Sequence, residues 1–262
     1  MNLKQLINKS VYGTIGYIAS QDDINLVEQY ILYNLNVLKE YKRVIVATNF
    51  KDKSLISKYE EVWGKYLDCT LLTSEINRGH QIGTTDLDNI LFEWCKNNKI
   101  EWLCKSANDT ILQEEIFNIE IEEADFYYTT GIGWAGVRDY NFDYNKIIDE
   151  LFYPQTNFYF INLNKVDNLL PKEELEQSYN IFEQPNYNGK IQTYIDEFCC
   201  ERILNRCILR NNLKHYNLIP KNKYLKLLQL IHHQQIHDGS HKNIMINGIC
   251  HYHFYNQNIY II

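Results

Sequence analysis

The sequence is poor in the features that mark several protein classes. Positive charge is in deficit: 26 Lys and Arg against 33 Asp and Glu leave a net charge of −7. That balance disfavours a nucleic-acid partner, because a phosphate backbone calls for a basic surface, though it leaves room for a local pocket for one diphosphate. No apolar run approaches the about 18 residues of a membrane span, so none is expected. The opening stretch Met1 to Lys9 holds no long apolar core, and no signal peptide is expected from it. The seven cysteines include no Cys-x-x-Cys pair, and the adjacent Cys199 and Cys200 cannot easily bridge each other. Odd, unpaired cysteines suggest buried thiols in a reduced, cytoplasmic protein. No internal repeat or low-complexity linker is present. No Gly-rich loop followed by Lys comes after the first apolar run; Gly13 and Gly16 lie inside that run.

What is present fits a folded domain. The chain has 262 residues, near the about 250–300 at which a single core stops growing. Hydrophobic residues make up 45% and charged residues 23%, as in ordinary globular proteins. One catalytic-size domain over residues 1–205 is expected, with a C-terminal extension over 206–262 that packs back on it. Tyrosine is abundant, at 21 residues. Aromatic faces suit sugar rings, but their commoner use is core packing.

The pattern along the chain alternates strand and helix. Val11 to Ser20 is a β-branched and aromatic run, followed by Asp22 and Asp23 in the first turn of a helix, where the dipole favours carboxylates. Ile24, Val27, Ile31, Leu35 and Leu38 give that helix one apolar face. Arg43 to Phe50 reads as a second strand without polar alternation, as expected when helices cover both sides. A second helix places Leu55, Tyr59, Val62 and Tyr66 inward, and Cys69 to Leu72 forms a third strand. After the loop Glu75 to Gly83, a third helix is expected from Thr85, and a fourth strand includes Trp102 to Cys104. Such alternation implies crossovers and a mostly parallel sheet with helices on both faces, a Rossmann-like α/β class. Ala124 to Thr130 and Phe158 to Asn162 read as further strands. Gly131, Gly133 and Gly136 make a relaxed segment between them. Leu169 to Asn188 reads as a surface excursion, Gln192 to Leu209 and Tyr224 to His233 as helices, and Asn247 to Ile262 as a strand-like return.

The stretch Glu101 to Leu112 is the most informative, because its apolar strand ends in a small polar cluster closing on Asp109. In open α/β sheets, ligands sit outside the carboxyl ends of the strands. This order of elements, over roughly residues 11–205, resembles the GT-A fold of nucleotide-sugar-dependent glycosyltransferases. Those enzymes carry a DxD-type motif after the fourth strand. The matching string here is Lys105-Ser106-Ala107-Asn108-Asp109. Asp109 keeps the carboxylate and Asn108 offers a carbonyl oxygen to a hard cation, while Ser106 and Ala107 depart from the pattern. The resemblance implies a divalent metal, Mn or Mg, on Asp109. It implies a nucleotide site lined by Ala19, Ser20, Asn49, Asn77, Arg78, Gly79 and Asp86, with Asp86 at the start of the third helix. Thr85 and Asp86 could equally cap that helix. Trp134, in Gly131-Ile-Gly-Trp-Ala-Gly136, would stack on a sugar at the acceptor side.

The same resemblance calls for a carboxylate base near the acceptor hydroxyl. Asp196, Glu197 and Glu201 are the candidates; Glu201 leads and Asp196 follows. A solvated acidic helix face is the plainer meaning of such residues. Six of the eight histidines fall after residue 231. In a strand His251 and His253 share a face, so both could reach the metal or diphosphate. The segment His237 to His241 could act as a lid, and no zinc-type spacing is present. The expectation is a transferase moving a sugar from a nucleotide diphosphate donor to a carbohydrate or other hydroxyl acceptor. The alternatives are a non-catalytic nucleotide- or sugar-binding protein on a degenerate scaffold of that kind, and a sugar nucleotidyltransferase.

Overall fold

The computed structural model describes residues 1–77, 80–108, 110–130, 154–166, 200–219, 223, 243–251 and 259–261. A short helix α1 (Leu3–Ile7) leads into β1 (Val11–Ile18), α2 (Gln21–Leu38), β2 (Val44–Phe50), α3 (Ile56–Tyr66), β3 (Cys69–Ser74), α4 (His80–Asn97) and β4 (Trp102–Ala107). Then follow β5 (Thr110–Leu112), a 3₁₀ turn (Glu114–Asn118), β6 (Phe126–Thr130), β7 (Pro154–Asn162), helix α5 (Cys200–Arg210) and β8 (His215–Asn217). The C-terminal strands are β9 (Asn243–Ile246), β10 (Ile249–His251) and β11 (Ile259–Ile261). Among the described residues, no helix is long and apolar enough to cross a membrane.

The main sheet has seven strands in the order β3-β2-β1-β4-β7-β6-β8. β1, β2, β3 and β4 run parallel, as the alternation of strand and helix predicts. β7 is antiparallel to both β4 and β6, and β8 is parallel to β6. The sheet is therefore mixed and mostly parallel. A second sheet, β11-β9-β10-β5, joins the C-terminal strands to the short strand after β4. Helix α5 runs unbroken through residues 205 and 206, and β8 then extends the main sheet.

Side chains alternate across the strands and feed two cores. Tyr12, Ile18, Val46 and Cys104 pack with Ile24, Val27 and Ile31 of α2 and with Tyr59 and Trp63 of α3. On the opposite face, Val11, Ile15, Ala47 and Leu103 pack with Leu87, Leu91 and Phe92 of α4 and with Ile203, Leu204 and Cys207 of α5. Gly13 makes close approach possible on that face. A Cβ there would lie 2.9 Å from Leu103 Cδ1 and 3.2 Å from Leu91 Cδ1, so a side chain would force the Leu103 and Leu91 side chains to shift.

Several boundaries differ from the sequence expectation. β1 stops at Ile18 rather than Ser20, and Ser20 instead caps α2. β3 and β4 extend to Ser74 and Ala107, paired residue by residue with β2 and β1. α4 starts at His80, not Thr85. Thr85 and Asp88 are drawn into the buried face beside Leu87 and Leu91, so the packed face includes polar residues. Asp86 is thus inside α4 rather than at its start, and neither it nor Thr85 caps the helix. Thr110 to Leu112 is a strand because β10 hydrogen-bonds to it.

Candidate functional site

The strand order reverses direction at β1 and β4. From β1 the chain moves outward to β2 and β3, then returns to place β4 on the other side of β1. The crossovers leaving the two strands diverge there, and this opens a crevice at their carboxyl ends. β1 delivers Tyr17, Ala19 and Ser20 to that end; β4 delivers Asn108, the turn residue that follows it. The Asn108 Nδ2 lies 3.5 Å from the point a Cβ on Gly16 would occupy, so the Asn108 amide reaches across to β1.

The turn after β4 is anchored from three sides. Asn34, fully buried on α2, donates from Nδ2 to the Thr110 carbonyl at 3.3 Å and accepts from the Leu112 N–H at 2.5 Å. The Thr110 hydroxyl donates to the Asn157 carbonyl of β7 at 3.2 Å. β10 pairs with β5 so that His251 stands opposite Thr110. The C-terminal return therefore places the backbone of His251 beside the residue that follows Asp109. Asn247 and Gly248 make this possible, because both have positive φ (51° and 78°) and form the two-residue link between β9 and β10.

The expected nucleotide residues are placed unevenly. Ala19 and Ser20 sit at the rim, with their backbone N–H groups donating to Asp23 Oδ2 at 2.9 and 2.8 Å. The Ser20 side chain accepts from the Asp23 N–H, completing a capping box. Those donors are committed to the helix end. Asn49 is buried, and its Nδ2 donates to the carbonyls of Ser74 (3.2 Å) and Ile76 (2.7 Å). With both amide hydrogens used, Asn49 has its acceptor Oδ1 to offer a ligand. Asn77 is exposed just beyond this ledge. Tyr17, paired in register with Asn49, is 46% exposed, and Ile76 is 53% exposed. Together they give the ends of β1, β2 and β3 an open apolar surface beside one fixed acceptor. Arg78, Gly79, Asp109, Trp134, Asp196 and His253 lie outside the described residues, as do Glu197 and the segment His237 to His241. Of His251 the backbone alone is described. Among the described residues, no three His, Cys, Asp or Glu side chains converge as a metal site.

On the other side of β4 the structure assembles a group of buried charges. Lys105 is 1% exposed in the middle of an apolar strand. Its Nζ donates to the Thr156 carbonyl of β7 at 2.6 Å and lies 3.7 Å from Asp88 Oδ1 of α4. That second separation is an ion pair, too long for a hydrogen bond. Glu201, in the first turn of α5, accepts from the Thr156 hydroxyl at Oε1 (3.2 Å) and from the Cys200 thiol at Oε2 (3.2 Å). Burial pushes the Asp88 carboxyl up to about 6; the Lys105 ammonium pulls it down and the Glu201 charge adds to the rise. Burial also raises the Cys200 thiol, with Glu201 adding to the shift, so this sulfur is a poor nucleophile.

Glu201 was among the candidates the sequence offered; Asp88, Lys105, Thr156, Asn34 and Tyr17 were not. Lys105 carried a usable signal: a lysine inside Trp-Leu-Cys-Lys-Ser-Ala must find a partner when its strand is buried. Asp88 shares a helix face with Leu87 and Leu91, which was the other half of that signal. The remaining three depend on contacts between distant segments. Neither models of protein families nor curated proteins match this chain.

Proposed function

We propose that this protein is a nucleotide-sugar-dependent glycosyltransferase with a GT-A-like arrangement. The observation that carries the reading is the anchored turn at the carboxyl end of β4. It stands at the reversal of strand order, with the apolar ledge of Tyr17 and Ile76 on one side and the Glu201 carboxylate on the other.

In this reading the nucleotide base lies on the ledge at the ends of β1 to β3, where Tyr17 gives it an aromatic face and Asn49 Oδ1 accepts a base N–H. The diphosphate extends toward the turn after β4. The residues that would hold a metal there are Asp109, Asn108 and His251, with His253 as a further candidate: by type a carboxylate, an amide oxygen and imidazoles. Those ligand types suit manganese or magnesium, with the histidine favouring manganese. When bound, the metal would offset negative charge on the diphosphate.

The acceptor hydroxyl approaches from the Glu201 side. Glu201 takes the hydroxyl proton as the oxygen bonds to the anomeric carbon, and the bond from that carbon to the diphosphate oxygen breaks with its electron pair leaving on the diphosphate. Fixed hydrogen bonds to both Glu201 oxygens leave each a second lone pair for this proton. A base opposite the leaving group gives an inverted product.

The test is a panel of nucleoside diphosphates and their sugars, with and without manganese, read by thermal shift and by sugar transfer. A nucleotide-selective shift and transfer lost in Asp109→Ala are expected. No shift with any nucleotide would remove the donor site and the reading with it. Binding that survives without transfer, in both native protein and Glu201→Gln, would point to a non-catalytic binding protein, which the Ala107 departure from the motif favours.

A further inference from the structure

The buried charges beside β4 are connected in one direction. Asp88 faces Lys105; Lys105 donates to the Thr156 carbonyl; the Thr156 hydroxyl donates to Glu201. Each link joins a different element: α4, β4, β7 and α5. Lys105 is held by strand pairing on both sides, opposite Gly13 of β1 and Tyr159 of β7. The chain therefore starts from a rigid point at the centre of the sheet and ends on a half-buried carboxylate at its carboxyl edge. A half-buried glutamate at a helix start has rotamers that lead into solvent, so an oxygen held at 3.2 Å by a buried hydroxyl is a constraint on its direction.

The geometry points to Thr156, braced by Lys105, as the positioning residue for Glu201. The relay fixes Oε1 of the carboxylate from β7, while the Cys200 thiol, which moves with Glu201 on α5, donates to Oε2. What Glu201 then does to an acceptor rests on the transferase reading above. Thr156 does not touch the substrate in this scheme. Lys105 holds the β7 backbone at Thr156, and Asp88 balances the buried ammonium. The alternative use of this cluster, a purely structural ion pair, would make the Thr156 hydroxyl dispensable, since Lys105 binds the carbonyl and not the hydroxyl.

The decisive pair is Thr156→Val and Thr156→Ser. Valine keeps the shape and suits a strand, while losing the donor; serine restores the donor. In an active enzyme, Thr156→Val lowers kcat by about 10- to 100-fold, the scale expected when a reacting group is misplaced, with KM for the donor unchanged. Thr156→Ser recovers most of the loss. A second readout needs no substrate. The groups facing Asp88 are Lys105 from β4 and Glu201 from α5, with the Tyr159 ring of β7 against Lys105. If Thr156 holds Glu201 near this cluster, freeing Glu201 lets its charge move away. The Asp88 carboxyl, followed by carbon-13 NMR, then titrates at lower pH in both Thr156→Val and Glu201→Gln, and returns to the native midpoint in Thr156→Ser. An unchanged Asp88 midpoint in Thr156→Val, or an unchanged kcat in an active enzyme, overturns the relay. Failure of all sugar transfer in the native protein would sink the transferase reading instead, and the Asp88 titration would still decide the relay.

Discussion

The two faces of the central sheet are built from the same strands but from different chemistry. The face under α2 and α3 is buried with neutral polar groups. The Tyr12 and Tyr30 hydroxyls pair with each other, the Tyr41 hydroxyl donates to Cys104 Sγ at 3.2 Å, and Tyr59 packs edge-on against Phe50 and Trp63. Burial raises all four tyrosines, so they stay protonated. The face under α4 and α5 buries Asp88 and Lys105 and brings Glu201 to its edge. Neutral hydroxyls satisfied by one another cost little to bury, whereas charges cost several kcal/mol each unless paired. A fold that needed only stability would use the first solution twice. The charged face is the one that the proposed chemistry occupies, and the difference can be broken at either side.

The largest effect is expected from Glu201→Gln, which removes the base. Turnover should fall by about 100- to 10,000-fold with nucleotide binding intact, whereas Tyr41→Phe on the neutral face should leave turnover unchanged in the same assay. Next comes Lys105→Met. It strands Asp88 without its cation and should cost about 3–5 kcal/mol in urea unfolding, most of it recovered in the double variant with Asp88→Asn. Tyr30→Phe, the counterpart across the sheet, should cost about 1 kcal/mol. Equal losses at the two faces would erase the contrast.

The pH dependence sharpens the comparison further. The folded Asp88 keeps its proton up to about pH 6, while an unfolded aspartate releases it near 3.8. Between those values the folded state binds the extra proton, so this group's contribution to stability is present in acid and is lost as pH rises through about 6. The stability of the native protein relative to Asp88→Asn should therefore fall by on the order of 2 kcal/mol from about pH 4 to pH 7. A flat difference in thermal unfolding would contradict it. A last, more local effect is at the second sheet. A Cβ on Gly248 would lie 2.7 Å from the Ile116 nitrogen and 2.9 Å from the Gln113 oxygen, at a positive φ. Gly248→Ala should cost about 1–3 kcal/mol and loosen the strand that brings His251 to the turn, seen as faster amide exchange at Leu112 and Thr110.

The chain's own pattern disclosed much of the main sheet. The apolar runs of β1, β2 and β4 and the one-sided helices α2 and α3 are present in the expected order, because strands buried on both faces read as nearly continuous apolar runs and the helices bury one face at the helical period. The second sheet was less legible, although Asn247-Gly248 is the strongest short signal for a hairpin and both residues do adopt positive φ. What hid it is β5: three residues, Thr110 to Leu112, have no period of their own and become a strand through β10 and Asn34. The start of α4 was misplaced for a related reason. Thr85 and Asp88 look like surface and cap residues, yet both are buried, Asp88 facing a lysine on another strand.

By itself the sequence determined the alternation of strand and helix, the mostly parallel sheet and the polar turn at the end of the fourth strand, since each follows from residues near one another in the chain. Tertiary structure alone decided which charges meet. Asp88, Lys105, Thr156 and Glu201 span more than a hundred positions in the chain and share no local pattern. A buried charge is tolerable only where a partner from another element reaches it, and no spacing along one segment can specify that meeting.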